Sequence, residues 1–467
     1  MTISNIKSDL LGIDTHTFKD LEIFESDTGD SSLFDFCNRT RSIGGAAVLR
    51  RRMQNPWSSV ERIDATQQAL QFINEHRGLF KRMPSVYSVE GTQNYLEEIL
   101  PSLDFRNRLE FALGAFQMWA NQDSHYFSIV KGAQATCRMI RALREFLALP
   151  ALKSAPGELR PLVQQLRVLL SRPNFRKVPD FDVSVWGTWK MLRLDQALRI
   201  REKETLRRLL ALIYDLDALV SMADANREHG FVVPEICSGP LHVKAEGLYH
   251  PYLENPVANP VSLNQQHRIL FLTGPNMAGK TTYLRAFATA LYLAHLGMGV
   301  PARSFQFVPV QWLFSSISLT DDLRRGVSYF RAEALRVKAV AEAVARGDRV
   351  LALMDEPFKG TNVKDAFEAS LSILERFSRR ENCLFMFSSH HIELSDHLQR
   401  MHNQVDCRYF EAIESGARLH FDYTLRAGIS DQRLGMRVLR EEGIFDLLDQ
   451  ETDPAHAAPQ EQPVEAG

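Results

Sequence analysis

The stretch Phe271–Thr282 reads FLTGPNMAGKTT, and its spacing G-x-x-x-x-G-K-[ST] is that of a loop that wraps phosphate. Gly274 and Gly279 let backbone N–H groups crowd around phosphate oxygens, and the N-terminus of a following helix adds partial positive charge. Lys280 is then placed to reach the β- and γ-phosphates of a nucleotide, and the Thr281 hydroxyl to ligate Mg²⁺. Pro275, Asn276, Met277, Ala278 and Thr282 complete the candidate ATP-binding loop. The bland alternative is a chance glycine-rich turn. A strand before, a helix after and the Lys-Thr pair in place argue against it.

Two further groups fit the same chemistry. Val350–Glu356, VLALMDE, is an apolar run that ends in two carboxylates. In ATPases of this kind Asp355 would hold Mg²⁺, usually through water, and Glu356 would polarise the attacking water as general base. Alone, an apolar run ending in Asp-Glu says little; downstream of a phosphate loop it says much more. Phe385–His391, FMFSSHH, is another apolar strand with polar groups at its end. His390 there can hydrogen-bond the γ-phosphate or the lytic water, or merely cap the helix suggested by Ile392–Leu398. The residues alone leave both readings open.

These groups need a scaffold that brings strand ends together. From Gly230 to Leu425 strand and helix patterns alternate, which signals an α/β domain with a mostly parallel sheet and helices on both faces. Continuous apolar runs suit its central strands, and ligands sit at the carboxyl ends of such strands. Before Gly230 the texture is helical. Apolar residues recur at three- and four-residue intervals over Tyr95–Leu103, Arg106–Trp119, Tyr126–Leu149, Leu159–Leu170 and Trp186–Ala225. The expected division is an N-terminal segment 1–30, an all-α domain 31–229, an α/β P-loop ATPase domain 230–450 and a disordered Pro/Ala/Glu-rich tail 451–467. Arg193–Arg208 is dense in arginine with interspersed acids. Such a run is either a solvated helix face with i,i+4 pairs or a DNA-contacting face.

Composition bounds the class. The 467 residues are 45% hydrophobic and 24% charged, with net charge −2. That is a soluble multidomain protein with no overall basic excess, although a local basic face remains compatible with it. The five cysteines are scattered, which argues for free thiols in a reducing compartment. No signal peptide and no apolar run long enough to span a membrane is evident. A cytoplasmic location is expected, nucleoid-associated if the protein is on DNA.

The stretches TGPNMAGKTTYLR, DDLRRGVSYFRAE (Asp321–Glu333), MDEPFKGTN (Met354–Asn362) and FSSHHIEL (Phe387–Leu394) together resemble the MutS family of DNA mismatch-repair ATPases. The Asn276-Met277 pair is particularly characteristic. His250-Pro251, Glu254 and Ala258-Asn259-Pro260 resemble that family's approach to the nucleotide, and Leu216–Ser221 the end of its long lever helix. The stretch from Thr40 through Arg50-Arg51 to Pro56 resembles the start of its core domain. The resemblance implies ATP and Mg²⁺ as cofactors, with Asn276 and His390 around the γ-phosphate. It also implies a dimer, expected as a homodimer, in which Ser328 reaches the ATP of the second subunit. Where the family often sets an aromatic or aliphatic side chain against adenine, this chain has Pro256 and Val257.

There are departures. Only residues 1–30 precede the core, so the mismatch-reading and connector domains are expected to be missing, and no β-rich clamp is legible in 80–190. Phe358-Lys359 stands where Gly-Arg is usual. The leading expectation is an ATP-dependent, dimeric lever on DNA, repair-like or acting on branched DNA. It would hold the backbone with modest specificity through Arg138, Arg141, Arg144, Arg193, Arg199, Arg201, Arg207 and Arg208, and a repair-pathway protein is a further candidate partner. The alternative is a nucleotide-gated dimerisation switch that binds a protein and not DNA. A transporter ATPase would need an L-S-G-G-Q-like signature, which DDLRRGVSYF is not.

Overall fold

A computed structural model describes residues 9–26, 31–100, 108–121, 124–183, 186–317, 329–391, 393–399, 404–415, 418–430 and positions 432, 437, 439–440 and 442–448. The tail 451–467 and Asp321–Ser328 lie outside the described residues.

The chain opens with β1 (Gly12–Ile13) and α1 (Thr15–Asp20), then turns helical. In order follow α2 (Leu33–Cys37), α3 (Ile43–Gln54), α4 (Val60–Glu75), α5 (Arg77–Phe80), α6 (Val86–Glu97), α7 (Arg108–Asn121) and α8 (Ser124–Leu147). Then come α9 (Leu159–Leu170), α10 (Pro173–Arg176), α11 (Thr188–Asp195) and α12 (Lys203–Glu228), the last two joined by a π-helical stretch, Gln196–Arg201. Residues Leu206, Leu209, Leu210, Ile213 and Leu216 of α12 are all buried, so this helix is the axis on which α3, α4, α6 and α9 pack. Its buried Asp217 carboxylate takes the Ser42 backbone N–H at 2.9 Å and the Ser42 hydroxyl at 2.7 Å. Ser42 in turn caps α3 by accepting from the Gly45 N–H at 3.0 Å.

The α/β part carries β2 (Glu235–Ile236), β3 (Val243–Leu248), β4 (Asn259–Leu263), β5 (Ile269–Thr273), α13 (Lys280–His295), β6 (Ser304–Phe307), β7 (Trp312–Ser316) and α14 (Tyr329–Ala345). It continues with β8 (Val350–Asp355), α15 (Val363–Phe377), β9 (Cys383–Ser388), α16 (Glu393–Gln399), β10 (Val405–Tyr409), β11 (Ala412–Ser415), β12 (Arg418–Phe421), β13 (Arg426–Ala427) and α17 (Ile444–Leu448). A seven-stranded sheet runs β1-β7-β8-β9-β5-β10-β13, parallel except for β13. Every residue of β5 and β9 is buried, as central strands covered on both faces require. Register sets Leu272 beside Ser388, and Ser388 beside Asp355, so the phosphate loop, the carboxylates and the histidines leave the sheet at one level. A second sheet runs β2-β6-β3-β4.

Residues expected as a separate N-terminal segment are built into this sheet. Gly12 and Ile13 pair in parallel with Trp312 and Leu313. The buried Arg336 of α14 pairs with Asp14, and donates to the Thr17 hydroxyl at 2.8 Å and from Nε to the Ser315 carbonyl at 3.0 Å. A two-residue strand has no periodicity to read, which is why the sequence conceals it. Among the described residues no helix is long and apolar enough to cross a membrane.

Helix α13 joins the two halves. It is buried from Ala286 to His295 without a break. The Tyr292 hydroxyl donates to the Met53 carbonyl at 2.5 Å, and the Trp57 N–H donates to the His295 carbonyl at 2.9 Å. The His295 ring donates from Nδ1 to the Trp57 carbonyl at 2.5 Å and accepts the Val310 N–H on Nε2 at 3.3 Å, a pattern only the neutral ring can make. Burial pushes its pKa down from 6.5 to about 4. The unfolded chain therefore binds the extra proton first. Up to about 3 kcal/mol of stability is present above pH 6.5 and is lost as pH falls toward 4. Denaturant unfolding of wild type and His295→Gln at pH 7 and 4.5 should show a stability gap that narrows at the lower pH; a constant gap would contradict the buried neutral ring.

Candidate active site

The phosphate loop begins where β5 ends. Gly274 adopts φ +132°, and a Cβ there would lie 2.3 Å from the Phe410 carbonyl oxygen, so no other residue fits without moving β10's exit. Met277 follows in a left-handed conformation (φ +70°) with its side chain 74% exposed. Gly279, at φ +101°, is the turn into α13. Asn276 and Thr282 are exposed beside it. The loop thus faces outward at the N-terminus of a buried helix, where backbone N–H groups and the helix dipole favour anions.

Lys280 is buried, and its ammonium donates to the carbonyls of Gly274 at 2.8 Å and Pro275 at 3.1 Å. Burial pushes its pKa down, and the charges of Glu356 and Asp355 oppose that shift. The Thr281 hydroxyl donates to Asp355 Oδ2 at 2.6 Å. The other oxygen of Asp355 takes the hydroxyl of Ser388, a buried residue on the neighbouring strand. Ser388 Oγ also accepts the Glu356 N–H at 3.1 Å, so one serine touches both members of the carboxylate pair. Among the described residues no group of three or more His, Cys, Asp or Glu side chains could hold a metal. Thr281 and Asp355 together fit Mg²⁺, which takes one or two protein oxygens and fills its shell with phosphate and water.

Glu356 is ringed by an imidazole and two ammonium groups. His390 Nε2 lies 2.5 Å from Oε1, Lys280 Nζ lies 3.6 Å from Oε1, and Lys359 Nζ lies 2.6 Å from Oε2. Burial raises its pKa, but the hydrogen bonds from His390 and Lys359 more than offset that and hold it down to about 2. His390 therefore faces the carboxylate. The turn into α16 is made by its neighbours, with Ser389 Oγ accepting the His391 N–H at 3.0 Å. Phe358 explains the departure from glycine at its position. It takes φ +68° with its ring buried 5.8 Å from Phe330, and its N–H donates to Glu333 Oε1 at 2.8 Å.

Beside the loop is a cavity of about 460 Å³, lined by Val257, Asn276, Met277, Lys280, Thr281 and Thr282 together with Tyr249, His250, Phe410 and Tyr423. The Val257 expected there is present. Tyr423 is the residue that sequence reasoning missed. Its ring lies over Gly279, whose added Cβ would come within 3.2 Å. Its carbonyl is held by Asn259 Nδ2 at 2.9 Å, and the same amide's oxygen accepts the Leu425 N–H at 2.7 Å. Asn259 was visible as part of an Ala-Asn-Pro motif, but its loop partner lies 164 residues on. Ser328 lies outside the described residues.

The eight arginines do not form one basic stripe. Arg199 is buried and paired with Asp195, Nε to Oδ1 at 2.7 Å. Arg144 holds the carbonyls of Val178, at 2.8 Å, and Phe175. Arg193 packs 4.3 Å above the Phe111 ring, Arg141 donates to the Asp180 carbonyl at 3.4 Å, and Arg207 pairs with Glu204 at 2.6 Å. Arg138, Arg201 and Arg208 are exposed.

Residues 270–451 match the family model described as MutS domain V, the ATPase domain of the MutS family. An aromatic face against a nucleotide base contributes about 1 kcal/mol. Tyr423→Ala should therefore weaken binding of a fluorescent ATP analogue about fivefold while leaving the fold intact; unchanged affinity would remove Tyr423 from the site.

Proposed function

We propose, from the premise that this chain is a MutS-related protein carrying that family's ATPase domain, that it hydrolyses Mg²⁺-ATP and uses the cycle to move its helical domain on DNA. Lys280 and the loop N–H groups bind the phosphates, with Asn276 and Thr282 at the mouth. Thr281 and Asp355 would hold Mg²⁺, which would supply charge stabilisation on the phosphates. Glu356 takes a proton from the attacking water. The water oxygen bonds to the γ-phosphorus as the bond to the bridging oxygen breaks, and ADP leaves with the electron pair. His390 orients Glu356.

The observation that carries the mechanical part is α13. Its N-terminus is the phosphate loop, and its C-terminus is hydrogen-bonded to the helical domain at Met53 and Trp57. A shift of the loop on nucleotide binding is thereby transmitted to α3 and α4. We place the active unit as a homodimer with Ser328 of each copy reaching the other's ATP.

The second reading, a nucleotide-gated switch for a protein partner, is favoured by one observation: several of the arginines expected to meet DNA are engaged within the fold. One experiment tests the nucleotide chemistry common to both readings, and a second separates them. Lys280→Ala should abolish nucleotide binding, and Glu356→Gln should keep ATP but turn it over at least about a hundredfold more slowly. Normal turnover in the latter would remove Glu356 as the base. Titration of labelled homoduplex, mismatched and branched DNA should show affinity that falls steeply between ~50 and ~200 mM salt, because phosphate contacts release counterions. It should show less than about tenfold preference for the mismatch. No DNA binding at the lower salt selects the protein-partner reading.

A further inference from the structure

A carboxylate can take a proton from water only if one of its lone pairs faces that water. In Glu356 each oxygen already has a donor beside it. His390 and Lys280 occupy the side of Oε1, and Lys359 occupies Oε2 at 2.6 Å. The two lysines differ in how they are held. Lys280 is 4% exposed and shared with two backbone carbonyls, whereas the Lys359 side chain is 53% exposed and reaches Glu356 from the solvent side.

The turn that brings Lys359 back is specifically built. Glu356 (φ +43°) and Phe358 (φ +68°) are both left-handed without being glycine. Phe358 is anchored by its buried ring and by the Glu333 carboxylate. With these two conformations fixed, the residue after Phe358 falls over the carboxylate three positions earlier. Glu333 and Phe330 both belong to α14, so the turn is tied to the helix that follows 318–328.

Resting on the reading of Glu356 as general base, we propose that Lys359 is a brake on hydrolysis: it pairs with Oε2, one of the two oxygens that can receive the water proton, and sets how often that oxygen is available. Lys359 adds no chemical step. It contributes an ion pair that has to open before the water is activated, so it lowers turnover and leaves nucleotide affinity alone. The pair is partly exposed, which limits its worth to that of a modest salt bridge.

The test is steady-state ATP hydrolysis by the full chain, with affinity for a fluorescent ATP analogue measured in parallel. Lys359→Met should raise kcat about fivefold, with KM and analogue affinity within about twofold of wild type. Lys359→Gln, which keeps length and polarity, should show the same direction if the methionine variant folds poorly. Lys359→Arg keeps a cation in place and should show a smaller gain than either. The gain must vanish in Glu356→Gln/Lys359→Met, because there is then no base to release. A folded Lys359→Met protein that binds the analogue but turns over at or below the wild-type rate overturns the brake, as does a gain that survives in the double variant. Wild-type turnover in Glu356→Gln alone instead overturns the assignment of the base, and the brake with it.

Discussion

The structure depends on one helix being buried along its length while its first turn is open to solvent. Helix α13 packs against the sheet on one side and the helical domain on the other, and Gly279 releases it from the phosphate loop. Burial of that kind leaves no freedom for the helix to rotate or slide without disturbing many contacts at once. A ligand on the loop therefore acts on a rigid body. The His295–Trp57 and Tyr292–Met53 hydrogen bonds make that body common to both domains. The parallel register of β5, β9 and β8 does the complementary work, setting Thr281, Asp355 and Ser388 in one connected row.

The phosphate loop and the carboxylates it faces were the most legible part of the chain, and for a physical reason. These residues take their positions from backbone geometry and from spacing along two buried strands, so the grouping of Gly274, Gly279, Lys280, Thr281, Asp355 and Glu356 could be read from local sequence. Helix patterns were legible too: α9 spans Leu159–Leu170 as its periodicity indicated. What could not be read were contacts made across the chain. Tyr423 reaches Gly279 only because Asn259 fixes its loop, and Lys359 meets Glu356 only because Phe358 accepts a left-handed conformation. Neither follows from periodicity or from a short motif. The π-helical stretch at Gln196–Arg201 belongs to the same class. It turns Asp195 and Arg199 inward to a buried pair with Tyr95, so an arginine that looked exposed by composition is internal.

The left-handed residues Glu356 and Phe358 cost of order 1–3 kcal/mol each in the folded state. Glu333 and the buried Phe358 ring offset that cost, and the result is a turn with few alternative shapes. Conformational cost concentrated in a turn next to the reacting groups is the usual company of a switch. Here the strained turn, the Glu356 carboxylate and the start of α14 share a single set of contacts, so the three are expected to change together.

Both rims of the large sheet are closed by strands of only two residues, β1 against β7 and β13 against β10. An uncovered rim strand presents unpaired N–H and C=O groups that can template the addition of another chain. β7, with Leu313 and Phe314 buried in its middle, would be such a template if β1 and α1 were peeled away. The buried Arg336, tied to Asp14 and Thr17, holds them in place. The short leading strand thus protects solubility as much as it completes a fold, and a protease cut or a fusion that loosened it would be felt first as self-association.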